Sequence, residues 1–233
     1  MTIGVSAKGE SHVRVGRGNE DAWSASERAN GAVIAVADGV GSVPHGSLGA
    51  VTAVRVGVSV GCRWLNRELA HDAVPREVTS GWLDGLGQEG PADCATTLLL
   101  AAVRYDGCVL LAWLGDGLVR AEVAGETWGS RTQDQDHEWG CTPALAAANV
   151  DERWQVATVP GFQSGDGVLL ASDGVSEGLV PERIPRLLSA VRSAVERDGP
   201  DRVTAEFERD LEVWPTPGGR DDRTMALLLG ASR

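Results

Sequence analysis

The clearest pattern along the chain is a set of apolar, β-branched runs that each end in an aspartate followed by a glycine. Three such runs end at Asp38, Asp116 and Asp173, and a further acidic pair, Asp221 and Asp222, stands just before the last apolar run. Apolar runs of this length, bounded by turn residues, are typical of buried strands. The pattern therefore predicts that four core strands bring carboxylates to their ends.

Longer apolar segments with a period of three to four residues predict helices between these strands. The segment Leu48–Leu69 also alternates like a strand, but its length and lack of interruption favour a helix. Its inner face would carry the apolar residues that share one helical face, Val51, Val54, Val58, Leu65 and Leu69. Gly57 and Gly61 would let that helix approach a sheet closely. Further helices are predicted to begin near Pro75, Pro181 and Pro200.

Three short strands in the middle of the chain are separated by turns and predict a β-meander. They are Thr96–Tyr105, Cys108–Leu114 and Leu118–Val123, and the short connections predict antiparallel pairing along the whole series. Two groups of strands and two pairs of helices predict an α+β layered sandwich. Residues 1–233 are expected to form one domain.

Composition and charge exclude several classes of function. The formal net charge of −12 argues against a nucleic-acid surface. The most apolar window, Leu48–Leu65, is interrupted by Arg55 and Arg63, so no membrane span is expected, and no signal peptide is recognised. We therefore expect a soluble, cytoplasmic protein.

Cysteine usage indicates neither a zinc site nor a disulfide framework. The chain has four cysteines, far apart and without a CxxC pair, at Cys62, Cys94, Cys108 and Cys141. Free thiols are the expected state of all four.

Asp-Gly is also a common hairpin turn, and the chain contains seven such dipeptides. Asp106-Gly107, which lies between two antiparallel runs, is predicted to be only a turn. Carboxylates that converge repel one another and take up protons unless a cation compensates them. Because Mg2+ and Mn2+ prefer oxygen ligands, the strand-end acids in combination predict a site for one of these metals.

Six short motifs occur in a fixed order along nearly the whole chain. They are Asn19-Glu20-Asp21, Ala37-Asp38-Gly39-Val40-Gly41, Ala95-Thr96-Thr97, Leu114-Gly115-Asp116-Gly117, Ala171-Ser172-Asp173-Gly174 and Asp221-Asp222-Arg223-Thr224. In this order the chain resembles the type 2C metal-dependent protein phosphatases (PPM family), and with its Gly9-x-x-His12 beginning it is most similar to their compact bacterial branch.

The resemblance implies both a fold and an activity. The fold would be an α-β-β-α sandwich of two antiparallel sheets flanked by helix pairs, with a binuclear Mn2+ or Mg2+ centre and room for a third ion. The activity would be hydrolysis of phosphoserine and phosphothreonine in a phosphorylated protein by metal-activated water, opposing a serine/threonine kinase. A monomer is expected, and no cysteine or serine nucleophile is required.

The resemblance also assigns roles at the metals. Asp38 resembles the carboxylate that bridges both metals, and the carbonyl of Gly39 would bind the second. Asp173 and Asp221 would complete the coordination of the first metal.

Other acids would act further from the paired metals. Glu20 resembles the residue that holds the second metal through water, and Asp21 would support it. Asp116, together with Asp173, resembles the site of a third ion, whereas Thr96 and Thr97 look structural.

Three departures from the family pattern stand out. The usual place of the phosphate-binding arginine is Gly16, so Arg17 is assigned that role, with Arg14 as the alternative. Val40 stands where many eukaryotic members have a histidine that acts as a general acid, so this chain, like other bacterial members, would rely on metal-bound water or on His45. Asp222 replaces an asparagine and should still hydrogen-bond its turn. In addition, Asp136-His137 resembles a segment ahead of the recognition flap, and His137 is either a polar loop residue or close to substrate.

Two other functions stay open. The chain could be a non-catalytic phosphoprotein-binding regulatory domain of the same fold, although retention of Asp38, Asp173 and Asp221 favours an enzyme. It could also be a small-molecule phosphomonoesterase, because substrate choice depends on loops rather than on metal ligands.

Overall fold

The structure is a computed structural model and describes residues 1–130, 144–147, 149–215 and 221–230. The strands are β1 (Thr2–Ala7), β2 (Asp21–Arg28), β3 (Gly31–Asp38), β4 (Leu98–Arg104), β5 (Val109–Leu114), β6 (Leu118–Val123), β7 (Glu126–Gly129), β8 (Gln155–Val159), β9 (Gly167–Ala171) and β10 (Arg223–Leu229). The helices are α1 (Glu10–Val15), α2 (Gly46–Leu65), α3 (Val74–Gly85), α4 (Asp173–Ser176), α5 (Ile184–Asp198) and α6 (Pro200–Glu212).

The described strands form two five-stranded antiparallel sheets. One sheet has the order β2-β3-β4-β5-β8, and the other has the order β1-β10-β9-β6-β7. An apolar layer joins their facing sides, helices α2 and α3 cover the outer side of the first sheet, and α5 and α6 cover the outer side of the second. This confirms the predicted α-β-β-α sandwich.

Strand β3 shows why the central strands read as unbroken apolar runs. Val33 and Ala35 point to the helix layer, whereas Ile34 and Val36 point to the layer between the sheets. Successive side chains of a strand alternate between its two faces, so a strand that is covered on both sides needs apolar residues at every position. Its end at Asp38 is thus a polar interruption of a buried element.

Helix α2 is confirmed, but its inner face differs from the prediction. Val54 is buried, whereas Val51 is 53% exposed, and the helix ends at Leu65. The close approach at Gly57 and Gly61 is confirmed, because a Cβ at Gly61 would lie 2.6 Å from a methyl group of Val33. The helix is long and apolar enough to cross a membrane, yet it is mostly buried inside the molecule, as expected of a core helix.

The predicted β-meander is wrong at its second connection. Strands β4 and β5 form a hairpin whose turn is Asp106-Gly107, as expected, with the Gly107 N–H donating to Arg104 O. Strand β6, however, lies in the other sheet and pairs with β7 and β9, so Asp116 lies where the chain crosses between the sheets. Both sheets bury apolar residues, and local periodicity therefore cannot tell which sheet β6 joins.

Two polar elements near the start of the chain were not predicted. Strand β2 lies at the edge of its sheet and has a partly exposed polar face, so its sequence does not show an apolar run. Helix α1 has no buried residue and hence no apolar stripe. The other predicted strands and helices are present with small differences at their ends.

Some predictions lie outside the described residues. These are the ones for Asp136, His137 and Cys141. The three cysteines that the structure describes, Cys62, Cys94 and Cys108, are free, as expected.

The contact between α2 and β3 generates a stability prediction. Gly61→Ala should lower the free energy of unfolding by about 1–2 kcal/mol, because the clash with Val33 outweighs the roughly 1 kcal/mol that alanine adds to a helix. Gly57→Ala is the matched control, since its Cβ would lie 3.3 Å from Leu98 Cδ2, and its effect should be near zero. Urea unfolding of both variants checks this, and equal effects would contradict the proposed close approach.

Candidate metal centre

The strand-end carboxylates come together at one end of the sandwich. Asp21 and Asp38 are direct partners across β2 and β3. Asp173 begins α4 immediately after β9, and Asp221 precedes β10. The carboxylate of Asp38 interacts electrostatically with those of Asp21, Asp173, Asp221 and Asp116. The predicted convergence of acids from several strands is therefore present.

Burial and mutual repulsion raise the pKa values of Asp21, Asp38 and Asp173. Burial is the largest cause for each of them, and neighbouring carboxylates add to it. The pKa of Asp38 lies well above its usual range, that of Asp21 rises to about 7, and that of Asp173 rises to about 6. Burial also raises the pKa of Glu20, against the opposing effect of the Arg17 guanidinium. The site thus brings carboxyl groups together where burial disfavours their charged forms.

The backbone of Asp38 is held by two threonines. Its N–H donates to Thr97 Oγ1 at 3.0 Å, and its carbonyl accepts from Thr96 Oγ1 at 2.8 Å and from the Thr97 N–H at 2.9 Å. Both threonines are buried. Their expected structural role is to place the Asp38 carboxylate at the end of β3.

Gly39 stands where three segments of backbone meet. Its N–H donates to the carbonyl of Glu20 at 3.1 Å. A Cβ at this position would lie 2.4 Å from the carbonyl carbon of Gly46, the first residue of α2. Only glycine fits here without displacing α2, and its carbonyl stays next to the carboxylate of Asp38 along the chain.

Arg17 lies in the site, whereas Arg14 does not contact it. Arg17 Nη2 pairs with Glu20 Oε1 at 2.6 Å, and the same guanidinium donates to the carbonyls of Gly41 and Val43. Arg14 is largely exposed and pairs with Glu10. Of the two arginines that the sequence offers for binding phosphate, the geometry therefore favours Arg17.

Asp222 accepts hydrogen bonds from three other described residues. It is 2% exposed, and it accepts from the Gly9 N–H at 2.6 Å, from the Glu20 N–H at 2.6 Å and from His12 Nδ1 at 2.8 Å. Its own N–H donates to Asp221 Oδ1 at 2.9 Å, within the expected turn. The sequence did not indicate that this turn also holds the residues around α1. It marked His12 only as part of the Gly9-x-x-His12 motif.

Two buried carboxylate oxygens of the site lack a hydrogen-bond partner among the residues that the structure describes. Asp21 Oδ2 accepts from Ser172 Oγ at 2.7 Å, but Asp21 Oδ1 has no partner among the described residues, nor has Glu20 Oε2. An unsatisfied buried carboxylate oxygen is costly. Such oxygens indicate that a positively charged or hydrogen-bonding group belongs beside them.

The donor set fits a hard divalent cation. Within the described ranges, no three His, Cys, Asp or Glu side chains already converge as a complete set of metal ligands. The acids nevertheless lie within electrostatic reach of one another, and every candidate donor is an oxygen. Repelling carboxylates with unpartnered oxygens are what Mg2+ or Mn2+ would stabilise.

His45 lies immediately before the first residue of α2. Its Nε2 lies 3.4 Å from Glu89 Oε2, and its side chain is about half exposed. These contacts are those of a surface histidine, and Val40, at the position where the resemblance leads one to look for a histidine, is partly buried.

Comparisons with known proteins agree with this fold. The sequence model of the family Protein phosphatase 2C matches residues 8–212. None of the curated proteins matches the chain. Similar solved structures share the fold at low identity. The S. agalactiae serine/threonine phosphatase is 18% identical with a TM-score of 0.65, covering 99% of both chains.

Two other similar structures contain metals. The catalytic domain of the serine/threonine protein phosphatase PstP, in complex with two manganese ions, is 20% identical with a TM-score of 0.60, covering 97% of this chain and 96% of that one. RsbX in complex with magnesium is 13% identical with a TM-score of 0.60, covering 97% and 92%.

The raised pKa values predict an unusual pH dependence for the metal-free protein. Because the folded state holds protons on Asp21 and Asp173 that the unfolded state releases above pH 4, the free energy of unfolding in EDTA should fall as the pH rises from 5 to 8. Each pKa unit corresponds to about 1.4 kcal/mol. Urea unfolding across this range measures the slope, and saturating Mn2+ should flatten or reverse it.

Two variants test in that experiment whether the pH dependence comes from the metal site or from a surface carboxylate. Asp38→Asn should remove part of the slope, because it removes one of the repelling charges. Asp106→Asn should leave the slope between pH 5 and 8 unchanged, because the backbone N–H of Cys108 and the nearby arginines lower the pKa of Asp106. Stability in EDTA that rises steadily from pH 5 to pH 8 would contradict the assignment.

Proposed function

Because this chain belongs to the protein phosphatase 2C family, we propose that it is a metal-dependent protein serine/threonine phosphatase. The observation that carries the proposal is the convergence of the acids Asp38, Asp173 and Asp221 at one end of the family's fold. A domain that only bound phosphoproteins would have no need for this costly concentration of charge. The solved relatives that contain manganese or magnesium support the metal dependence.

In the proposed centre, Asp38 would hold both ions, the carbonyl of Gly39 would bind the second, and Asp173 and Asp221 would bind the first. Bound Mn2+ or Mg2+ would supply charge to neutralise the phosphoryl oxygens and to acidify the attacking water. Asp116 interacts electrostatically with Asp38 and Asp173, which supports a third, separate ion position.

The remaining site residues would orient these ligands and the substrate. Asp21, held by Ser172, supports the bridge from the neighbouring strand, and Glu20 acts through water. Arg17 keeps Glu20 in place and is about one-third exposed. We therefore propose that the exposed edge of its guanidinium meets the phosphate group of the substrate, as expected for arginine and phosphate.

The wider setting follows from the same proposal. We propose a phosphorylated protein substrate, an opposing serine/threonine kinase and a monomeric, cytoplasmic enzyme whose residues 1–233 act as one domain. The net charge of −12 supports the absence of a nucleic-acid partner. No thiol is assigned a role, and Cys62 and Cys94 are buried.

Phosphate release from a phosphothreonine peptide library tests the activity. We expect release with Mn2+ or Mg2+ and none in excess EDTA, because all proposed ligands are oxygen donors. Full activity in EDTA would exclude the metal centre. Turnover of aryl phosphate without turnover of any phosphopeptide would favour a small-molecule phosphomonoesterase, and Mn2+ binding without any turnover would favour a regulatory domain.

Substitutions at three Asp-Gly dipeptides distinguish the proposed roles of their aspartates. Asp38→Asn should weaken both paired ions and lower kcat by several orders of magnitude, since the bridge loses its charge. Asp116→Asn should keep tight binding of two ions but slow turnover. Asp106→Asn, in the β4–β5 turn, should change neither, because Asn-Gly forms such a turn equally well. Calorimetric Mn2+ titration and steady-state rates measure this, and equal losses in all three would contradict the site.

A further inference from the structure

His12 is a nearly buried histidine on a helix that is otherwise exposed. Its side chain is 12% exposed, whereas the neighbouring Val13 and Val15 are 61% and 68% exposed. Helix α1 has no buried residue by which to pack. The side chain of His12 therefore points into the site rather than into an apolar core, and nothing so far assigns it a task there.

Asp222 determines which ring nitrogen of His12 carries a hydrogen. The carboxylate of Asp222 lies 2.8 Å from Nδ1 and also accepts the N–H groups of Gly9 and Glu20. Since this carboxylate is an acceptor in all three contacts, Nδ1 is the donor. In the neutral ring the other nitrogen, Nε2, then presents a lone pair.

That lone pair faces another acceptor. Nε2 lies 3.6 Å from Glu20 Oε2, which is too far for a direct hydrogen bond. Glu20 Oε2 is buried and has no hydrogen-bond partner among the described residues, while Arg17 holds the other oxygen, Oε1. The two acceptors lack a donor between them, and a water molecule that lies within hydrogen-bond distance of both can donate one hydrogen to each.

We propose that His12 is a positioning residue of the metal centre, whose Nε2 forms with Glu20 Oε2 a pair of acceptors for the hydration shell of a divalent cation. The inference rests on the proposed function and adds a residue to it. Asp222 orients the ring, Arg17 orients the carboxylate, and the two remaining atoms bind water. The competing role is a structural one, in which His12 only links α1 to Asp222.

His12→Asn separates these two roles. The amide nitrogen of asparagine can replace Nδ1 and keep the hydrogen bond to Asp222, but the residue has no acceptor near Glu20. We expect unfolding in EDTA to match that of the wild-type protein, while the Kd for Mn2+ rises about 10–100-fold, as for other partners of metal ligands. At saturating Mn2+ the kcat should return towards the wild-type value.

His12→Gln makes the opposite change. Its longer amide can reach the position of Nε2 and present an oxygen beside Glu20, but it loses the geometry of Nδ1. We expect lower stability in EDTA than for His12→Asn, but tighter Mn2+ binding. The matched control is His71→Asn, at an exposed histidine before α3, which should change neither quantity.

Calorimetric Mn2+ titration together with urea unfolding decides between the roles. Wild-type Mn2+ affinity in His12→Asn would overturn the inference and leave His12 as a structural link. If His12→Asn is itself unstable, the Mn2+ affinities of the two variants are compared with each other. Weaker Mn2+ binding by His12→Gln than by His12→Asn would then overturn the inference. Failure of the wild-type protein to bind Mn2+ would instead refute the proposed function.

Discussion

Repulsion among buried carboxylates is the constraint on which the arrangement of this molecule depends. Asp21, Asp38 and Asp173 lie close together where burial weakens the screening of their charges, and each has a raised pKa. The apolar layers on both sides of the two sheets provide the stability that offsets this cost. A site that is unfavourable by itself is thereby kept at the end of a rigid sandwich, ready for a cation of opposite charge.

Neutral hydrogen-bonding groups hold the acids in place without neutralising them. Thr96 and Thr97 fix the backbone of Asp38, and Ser172 bonds both Asp21 and the N–H of Thr224. These contacts orient each carboxylate but leave oxygens free for a ligand, as the unpartnered Asp21 Oδ1 shows. Arrangements of this kind place a functional group precisely while the surrounding fold supplies the rigidity.

The turn before β10 connects parts of the site that are distant in sequence. Asp222 accepts the N–H groups of Gly9 and Glu20, which lie more than 200 residues away along the chain. Through His12 it also reaches the carboxylate of Glu20. The carboxylate of Asp222 accepts three donors, which an amide with a single acceptor oxygen could not match. Asp222 therefore connects α1 to the strand-end acids.

The sequence alone determined the layered fold and the convergence of Asp38, Asp173 and Asp221, because burial on both faces makes central strands apolar and a carboxylate at their end stands out. It also distinguished the Asp106 turn from the candidate site. Only the tertiary structure decided that β6 joins the second sheet, that Arg17 rather than Arg14 contacts Glu20, and that His12 enters the site. Each of these depends on contacts between distant segments. Local periodicity and short motifs report which residues are buried, but not which partners they meet.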